Sequence, residues 1–475
     1  MVVVCADFAK KITFATTQNH AAILHALSVR NDGPDDLNDL VLTCETEPPF
    51  LQPMRWPIDR IVAGGEALIT NRDLRGDRER LFALTERIAF DVVLTLRQGE
   101  AVLAAERYDM TALARHEWGG AHHMPEMLAA FVMPNDPATA RVLKDASELL
   151  ARSGKSDALD GYQSKSRTRS WELAAAIWGA VSARRFAYAV PPASFETQGQ
   201  KVRTPGEIAE QGLATCLDTT LLFAAALEGA GLYPIIAFTQ GHACCGCWLQ
   251  PQHLPGLTTE DPAELRKAIA LNELILFETT LATGTAPTPF AQALKEANRL
   301  IAEEAEAAFV YALDVKEARG RGITPIPEIA VSTVARESGE AGAAPPASVA
   351  LPDAPDLGAF ENLIDLAVPD TPAERVELWK RRLLDLTRVN RLLNVKPSLG
   401  AIPIFCPDPA ALDDRLAEGR KLRIITPAAP SDGEGASDPA LFRLRTGDER
   451  HVRFAADALD RDQIVATIPP KDLDK

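Results

Sequence analysis

A chain of 475 residues is too long for one core and is expected to divide into two to four domains. Apolar residues make up 46% and charged residues 24%, an ordinary globular balance, and the most apolar stretch, TTLLFAAALEGAGLYPIIAF, is too interrupted for a membrane span. Lys and Arg number 50 against 66 Asp and Glu, and the resulting net charge of -16 argues against a chain dominated by nucleic-acid or anionic-membrane binding.

The opening MVVVCADFAKK has no basic segment followed by an apolar one, so no secretory signal is expected. The seven cysteines (Cys5, Cys44, Cys216, Cys244, Cys245, Cys247 and Cys406) therefore read as reduced thiols in a cytoplasmic protein. Residues 1–118 alternate apolar with polar in short runs such as AILHALSVRN, LVLTCETEP and RIAFDVVLTLRQ, separated by turn clusters at Asn31-Asp32-Gly33-Pro34 and Ala63-Gly64-Gly65. That spacing predicts an immunoglobulin-like β-sandwich serving as scaffold or interaction module. Residues 119–327 shift to helical periodicity and then to strands, an α+β pattern. Its first long helix is capped by Asp136 with Pro137 in the first turn.

Within that region, Ser153-Gly154-Lys155-Ser156 imitates the end of a phosphate-binding loop. The glycine required five positions before Gly154 is replaced by Leu149, and a helix precedes it, so a helix end is the better reading. Residues 328–360, rich in Ala, Pro, Gly and acid, read as a linker. Residues 361–475 read as a small mixed α/β domain. Its leading helix, from Thr371-Pro372, is basic along one side through Lys380, Arg381, Arg382, Arg388 and Arg391. A solvated face is the usual meaning of such a pattern.

The chemistry concentrates around Cys216. Thr215 is a plausible helix N-cap, Asp218 stands three residues later as in a capping box, and Gly231 ends the apolar stretch. Cys216 then occupies a first helical turn, where free N–H groups and the positive dipole end favour a thiolate and offer donors to an oxyanion. A buried structural cysteine is the competing reading, and the nearby Asp218 carboxylate disfavours a thiolate unless it faces away. His242 lies 26 residues further on, in LYPIIAFTQGHACCGCWL, which reads as a single strand with Gly-His in its middle. Glu278 is the one acid within the apolar run of ELILFETTLATG. It needs a partner if buried, and the imidazole, a backbone group or an arginine would serve. Gln198 and Gln200 are candidate oxyanion or substrate-binding donors, or else loop surface residues.

His242, Cys244, Cys245 and Cys247 invite a zinc reading. On a strand, His242 and Cys244 share one face while Cys245 and Cys247 share the other, so no metal is expected.

The order of cysteine at a helix start, Gly-His on a strand and acid-x-Thr ending the next strand resembles the transglutaminase-like superfamily of papain-like cysteine proteases. Cys216, His242 and Glu278 fall on its nucleophile, base and orienting acid; Glu278 departs from the usual aspartate by one methylene. The resemblance implies a cysteine peptidase or amide hydrolase acting on a protein or peptide. Separately, Trp379-Lys380-Arg381-Arg382-Leu383-Leu384-Asp385-Leu386 and Asn390-Arg391-Leu392-Leu393-Asn394 closely resemble a segment of large bacterial superfamily 1 helicase-related proteins, preceding their ATPase. ALARHEWGG, PPASFETQGQKVRTP and YALDVKEARGRGITPIP agree with that resemblance. It implies a helicase or ATPase portion in cis or trans and a setting in antiphage defence. It also makes nucleic acid a candidate partner through the basic helix or the motor. No cofactor is expected in this chain, with ATP and magnesium entering only through such a motor. A catalytically silent interaction module is the alternative.

Overall fold

The computed structural model describes residues 1–284, 286, 288–327 and 351–360, with short strands and single residues between 404 and 466. The protein is mixed α/β with several separate sheets. It divides into two units, Met1–Arg382 and Leu383–Lys475, a division that falls later than position 361.

The first unit begins with eight strands: β1 (Val2–Phe8), β2 (Lys11–Ile12), β3 (Leu24–Asn31), β4 (Leu37–Glu47), β5 (Met54–Ile61), β6 (Glu66–Leu68), β7 (Ile88–Gln98) and β8 (Ala101–Ala112). Short helices α1 (Phe14–Gln18) and α2 (Arg78–Ala83) interrupt them. One sheet has the order β1-β3-β6 and the other β2-β8-β7-β4-β5. Alternation decides what is buried: Leu40, Leu42 and Cys44 of β4 and Val92, Leu94 and Leu96 of β7 share a core with Val4, Leu27 and Val29 of the other sheet. The runs at Val2–Phe8 and Met54–Ile61 are strands that the alternation did not single out. Pro57 makes β5 a poor strand on paper, and β5 tolerates it because it lies at the sheet edge.

The rest of the first unit comprises β9 (Glu117–Trp118), α3 (Pro137–Arg152), α4 (Arg167–Ser182), β10 (Ala187–Tyr188), α5 (Phe195–Gln198), β11 (Gln200–Lys201), α6 (Pro205–Gln211) and β12 (Leu213–Ala214). It continues with α7 (Cys216–Gly229), β13 (Pro234–Thr239), β14 (His242–Trp248), β15 (Thr258–Thr259), α8 (Pro262–Ala270), β16 (Leu274–Phe277), α9 (Phe290–Leu300), β17 (Phe309–Asp314) and α10 (Val315–Gly320). Its five-stranded sheet is antiparallel, in the order β15-β17-β13-β14-β16. The expected single strand around His242 is a hairpin. Thr239 pairs with His242 across Gln240-Gly241, and Gly241 supplies the positive φ of +70° that the turn needs. His242 therefore opens β14 instead of lying mid-strand.

Helix α7 is buried along nearly its whole length and packs on β13 and β14. Ala243, Cys245 and Cys247 belong to the core shared with α7, while Cys244 joins Ile235, Ala237 and Trp248 in a second cluster with Leu265 and Ala297. The segment 351–360, expected to be linker, is held at the start of α4. Arg167 N donates to Gly358 O at 3.1 Å, Phe360 N donates to Lys165 O at 3.0 Å, and Phe360 is buried.

In the second unit the described strands are β18 (Ile404–Phe405), β19 (Arg423–Ile425), β20 (Leu441–Arg443), β21 (His451–Arg453) and β22 (Gln463–Ala466). They form a β18-β22-β19 sheet and a β20-β21 pair. The basic helix expected from Thr371 lies outside the described residues. No helix among the described residues is long and apolar enough to cross a membrane.

Candidate active site

Cys216 is the first residue of α7, and the start of that helix is built by its neighbours. Thr215 Oγ1 accepts from Asp218 N at 3.2 Å and Asp218 Oδ2 accepts from Thr215 N at 2.9 Å, a reciprocal capping box. The Asp218 carboxylate is fully buried, and it faces Arg203. Arg203 N donates to its Oδ1 at 2.9 Å and Arg203 Nη1 to its Oδ2 at 2.9 Å. Its charge is thus committed to a guanidinium, which answers the objection that an acid three residues on would oppose a thiolate.

The hairpin turn puts His242 beside this helix start. Its Nε2 lies 2.5 Å from Glu278 Oε2, and Cys216 is near enough to act on the charge of the same ring. Burial opposes the charged imidazole, but Cys216 and Glu278 outweigh burial and raise its pKa to about 10 from an ordinary 6.5.

Glu278 follows β16 immediately and caps a single 3-10 turn, Thr279–Ala282. Its Oε1 accepts from Thr280 N at 2.9 Å and Thr280 Oγ1 at 2.7 Å. Burial alone would raise its pKa; His242 and Thr280 outweigh that and hold it below the ordinary carboxylate value. The two readings of Glu278 are both realised, one oxygen on the imidazole and the other on a backbone group. Thr279 ties this turn to α7, its Oγ1 lying 3.0 Å from Thr219 Oγ1 and 3.1 Å from Thr220 Oγ1. Thr220 Oγ1 donates in turn to Ala243 O at 3.2 Å, on the strand that carries His242.

The two glutamines separate. Gln200 is buried and its Nε2 donates to Thr215 Oγ1 at 3.1 Å, bracing the helix cap. Its Oε1 is buried with no hydrogen-bond partner among the described residues. Gln198 is exposed and is held through its backbone, N donating to Ser194 O at 2.9 Å and the carbonyl accepting from Lys11 Nζ at 2.9 Å. Gln200 reaches its place through a close crossing of two segments. A Cβ on Gly120 would meet Thr197 O at 2.2 Å, and one on Gly199 would meet Trp118 O at 2.0 Å, both glycines having φ of +88°.

The residue reading missed Tyr188. Strand β10 pairs in parallel with β12, opposing Tyr188 to Ala214, two residues before Cys216. Burial first, then Cys216 and Glu278, push the Tyr188 pKa up to about 12. Two-residue strands carry no periodic signal, so nothing in the local pattern pointed to it. Thr280 did have a signal, the acid-x-Thr pattern, though not a stated role. Among the described residues, no three His, Cys, Asp or Glu side chains are grouped as a metal site would need.

Residues 382–475 match a family described as a protein of unknown function (DUF4011). No curated protein matches the chain.

Proposed function

We propose that the first unit is a cysteine hydrolase of amide bonds, built as an immunoglobulin-like β-sandwich over 1–118 followed by a papain-like, transglutaminase-type domain over 119–327. The observation that carries this reading is the His242 Nε2–Glu278 Oε2 contact of 2.5 Å beside the helix start that bears Cys216, with both groups acting on the imidazole's charge. Cys216 Sγ attacks the carbonyl carbon, and the Cys216 N–H at the open helix start faces the developing oxyanion. His242 passes its proton to the leaving amine, which departs from a thioester. Water, deprotonated by the same imidazole, then attacks the thioester and releases the acid and the thiol. Glu278 holds the ring and stabilises its charged form. Hydrolysis is preferred to cross-linking because it needs only water as second nucleophile. Coupling to a helicase or ATPase portion, and a role in antiphage defence, are proposed from the resemblance of the 379–394 segment.

A second reading, a silent interaction module, draws on one observation: Cys216 has 0% of its surface exposed. Iodoacetamide with mass-spectrometric mapping separates the two readings. Selective alkylation of Cys216 below about pH 7, lost in His242→Ala, is the expected result for an enzyme. Uniformly slow labelling with an alkaline midpoint would sink that reading.

A further inference from the structure

Three threonines stand behind the site, Thr219, Thr220 and Thr279, each with 0% of its surface exposed. Packing alone would be met by valine, which has nearly the same shape and no hydroxyl to satisfy. A hydroxyl has one proton to give and two lone pairs with which to accept, and the partners show where each proton goes. Thr219 Oγ1 donates to Cys216 O at 2.9 Å, with Thr215 O at 3.1 Å as its other acceptor. Thr220 Oγ1 donates to Ala243 O at 3.2 Å. Both protons are thus committed to carbonyls. Thr279 Oγ1, 3.0 Å from the first hydroxyl and 3.1 Å from the second, is left as the donor to both.

These hydroxyls join the three elements of the site beside the residues that would do the chemistry. One contact is the carbonyl of Cys216 itself on α7, one is Ala243 of β14, next to His242, and one is Thr279, next to Glu278. We propose that Thr279 is a positioning residue of this site: its one shared proton fixes the turn that carries Glu278 against the helix that carries Cys216 and the strand that carries His242. Thr279 touches no reacting atom, and its role presupposes the reading of Cys216 as a nucleophile. What it adds is the alignment of the carboxylate. Glutamate has one more rotatable bond than aspartate, so Glu278 stays on the imidazole only if its backbone is firmly held. Glu278 N donates to Ala293 O at 3.0 Å on one side. On the other side the single turn Thr279–Ala282 is too short to hold itself, and the Thr279 hydroxyl ties it to α7.

The full chain with Thr279→Val, and separately Thr279→Ser, is treated with iodoacetamide and the rate at Cys216 is followed across pH, with thermal unfolding to show that each variant is folded. Valine keeps the shape and loses the proton. It is expected to slow alkylation below pH 7 about tenfold and to move the midpoint of the rate–pH curve up by about one unit. Serine keeps the proton and is expected to restore both the rate and the midpoint. Thr220→Val, which breaks the same chain one link away, is expected to act in the direction of Thr279→Val. A Thr279→Val protein that melts earlier but keeps the wild-type rate and midpoint overturns the positioning role and leaves the nucleophile standing. So does a Thr279→Ser protein that behaves like Thr279→Val. A wild-type Cys216 that is inert below pH 7 overturns both.

Discussion

His242 has the Glu278 carboxylate on Nε2 and Cys216 acting on the same ring, and that arrangement fixes how the site should answer to change. His242→Ala removes the proton carrier, and any amidase activity is expected to fall by about 100-fold or more. Glu278→Gln keeps the shape but loses the charge that holds the imidazolium, with a fall of similar order expected in kcat. Because the His242 pKa is raised to about 10 from 6.5, its stabilising contribution is complete below the unfolded value and is lost as pH climbs through the folded one. Urea unfolding of wild type and His242→Ala should therefore differ most near pH 6, about the unfolded value, with the gap shrinking toward pH 10. A gap that widens with pH would contradict the charge state described. Cys216, His242 and Glu278 could be singled out from the chain because each is chemically conspicuous where it stands: a thiol at a capped helix start, a Gly-His among apolar residues, a lone acid in an apolar run. Tyr188 could not, since it arrives through a two-residue pairing made across the fold; Gln200 was a candidate, but its bond to Thr215 depends on a similar pairing of β11 with β9.

At the scale of elements, the start of α7 depends on side chains more than on intrinsic helix preference. Thr215→Ala removes the acceptor for Asp218 N and is expected to cost about 1 kcal/mol in denaturant unfolding. It should also loosen Gln200, which uses the same hydroxyl. Helices α3 and α7 were readable from their caps, and strands β4 and β7 from alternation with one buried face. The hairpin β13–β14 was not, because both of its strands are buried on both faces, leaving no period to break at Gln240-Gly241. The attachment of 351–360, within the stretch read as linker, was hidden for a related reason. Composition says nothing of the backbone bonds that Gly358 and Phe360 make with Arg167 and Lys165.

Across the first unit as a whole, the strand-rich segment reaches the candidate site through few but specific ties. Lys11 of β2 donates to Gly119 O at 3.1 Å and to Gln198 O, and Gln18 and Asn19 bond with Thr324 and Pro325 near the far end of the unit. Lys11→Ala is expected to destabilise the unit by about 1.5 kcal/mol and to speed proteolysis in the 194–199 segment around α5, read by mass spectrometry of the first cuts. Cleavage unchanged in rate and place would show that the segment is held from its own side. The crossing of Gly120 with Gly199 adds a consequence for descent. Each glycine is demanded by the other segment's backbone, so a side chain at either position displaces the loop that delivers Gln200. Two positions far apart in sequence are thus bound into one unit of inheritance. A lineage that keeps this loop is expected to keep both glycines, and one that loses either is expected to have rebuilt the whole approach to Cys216.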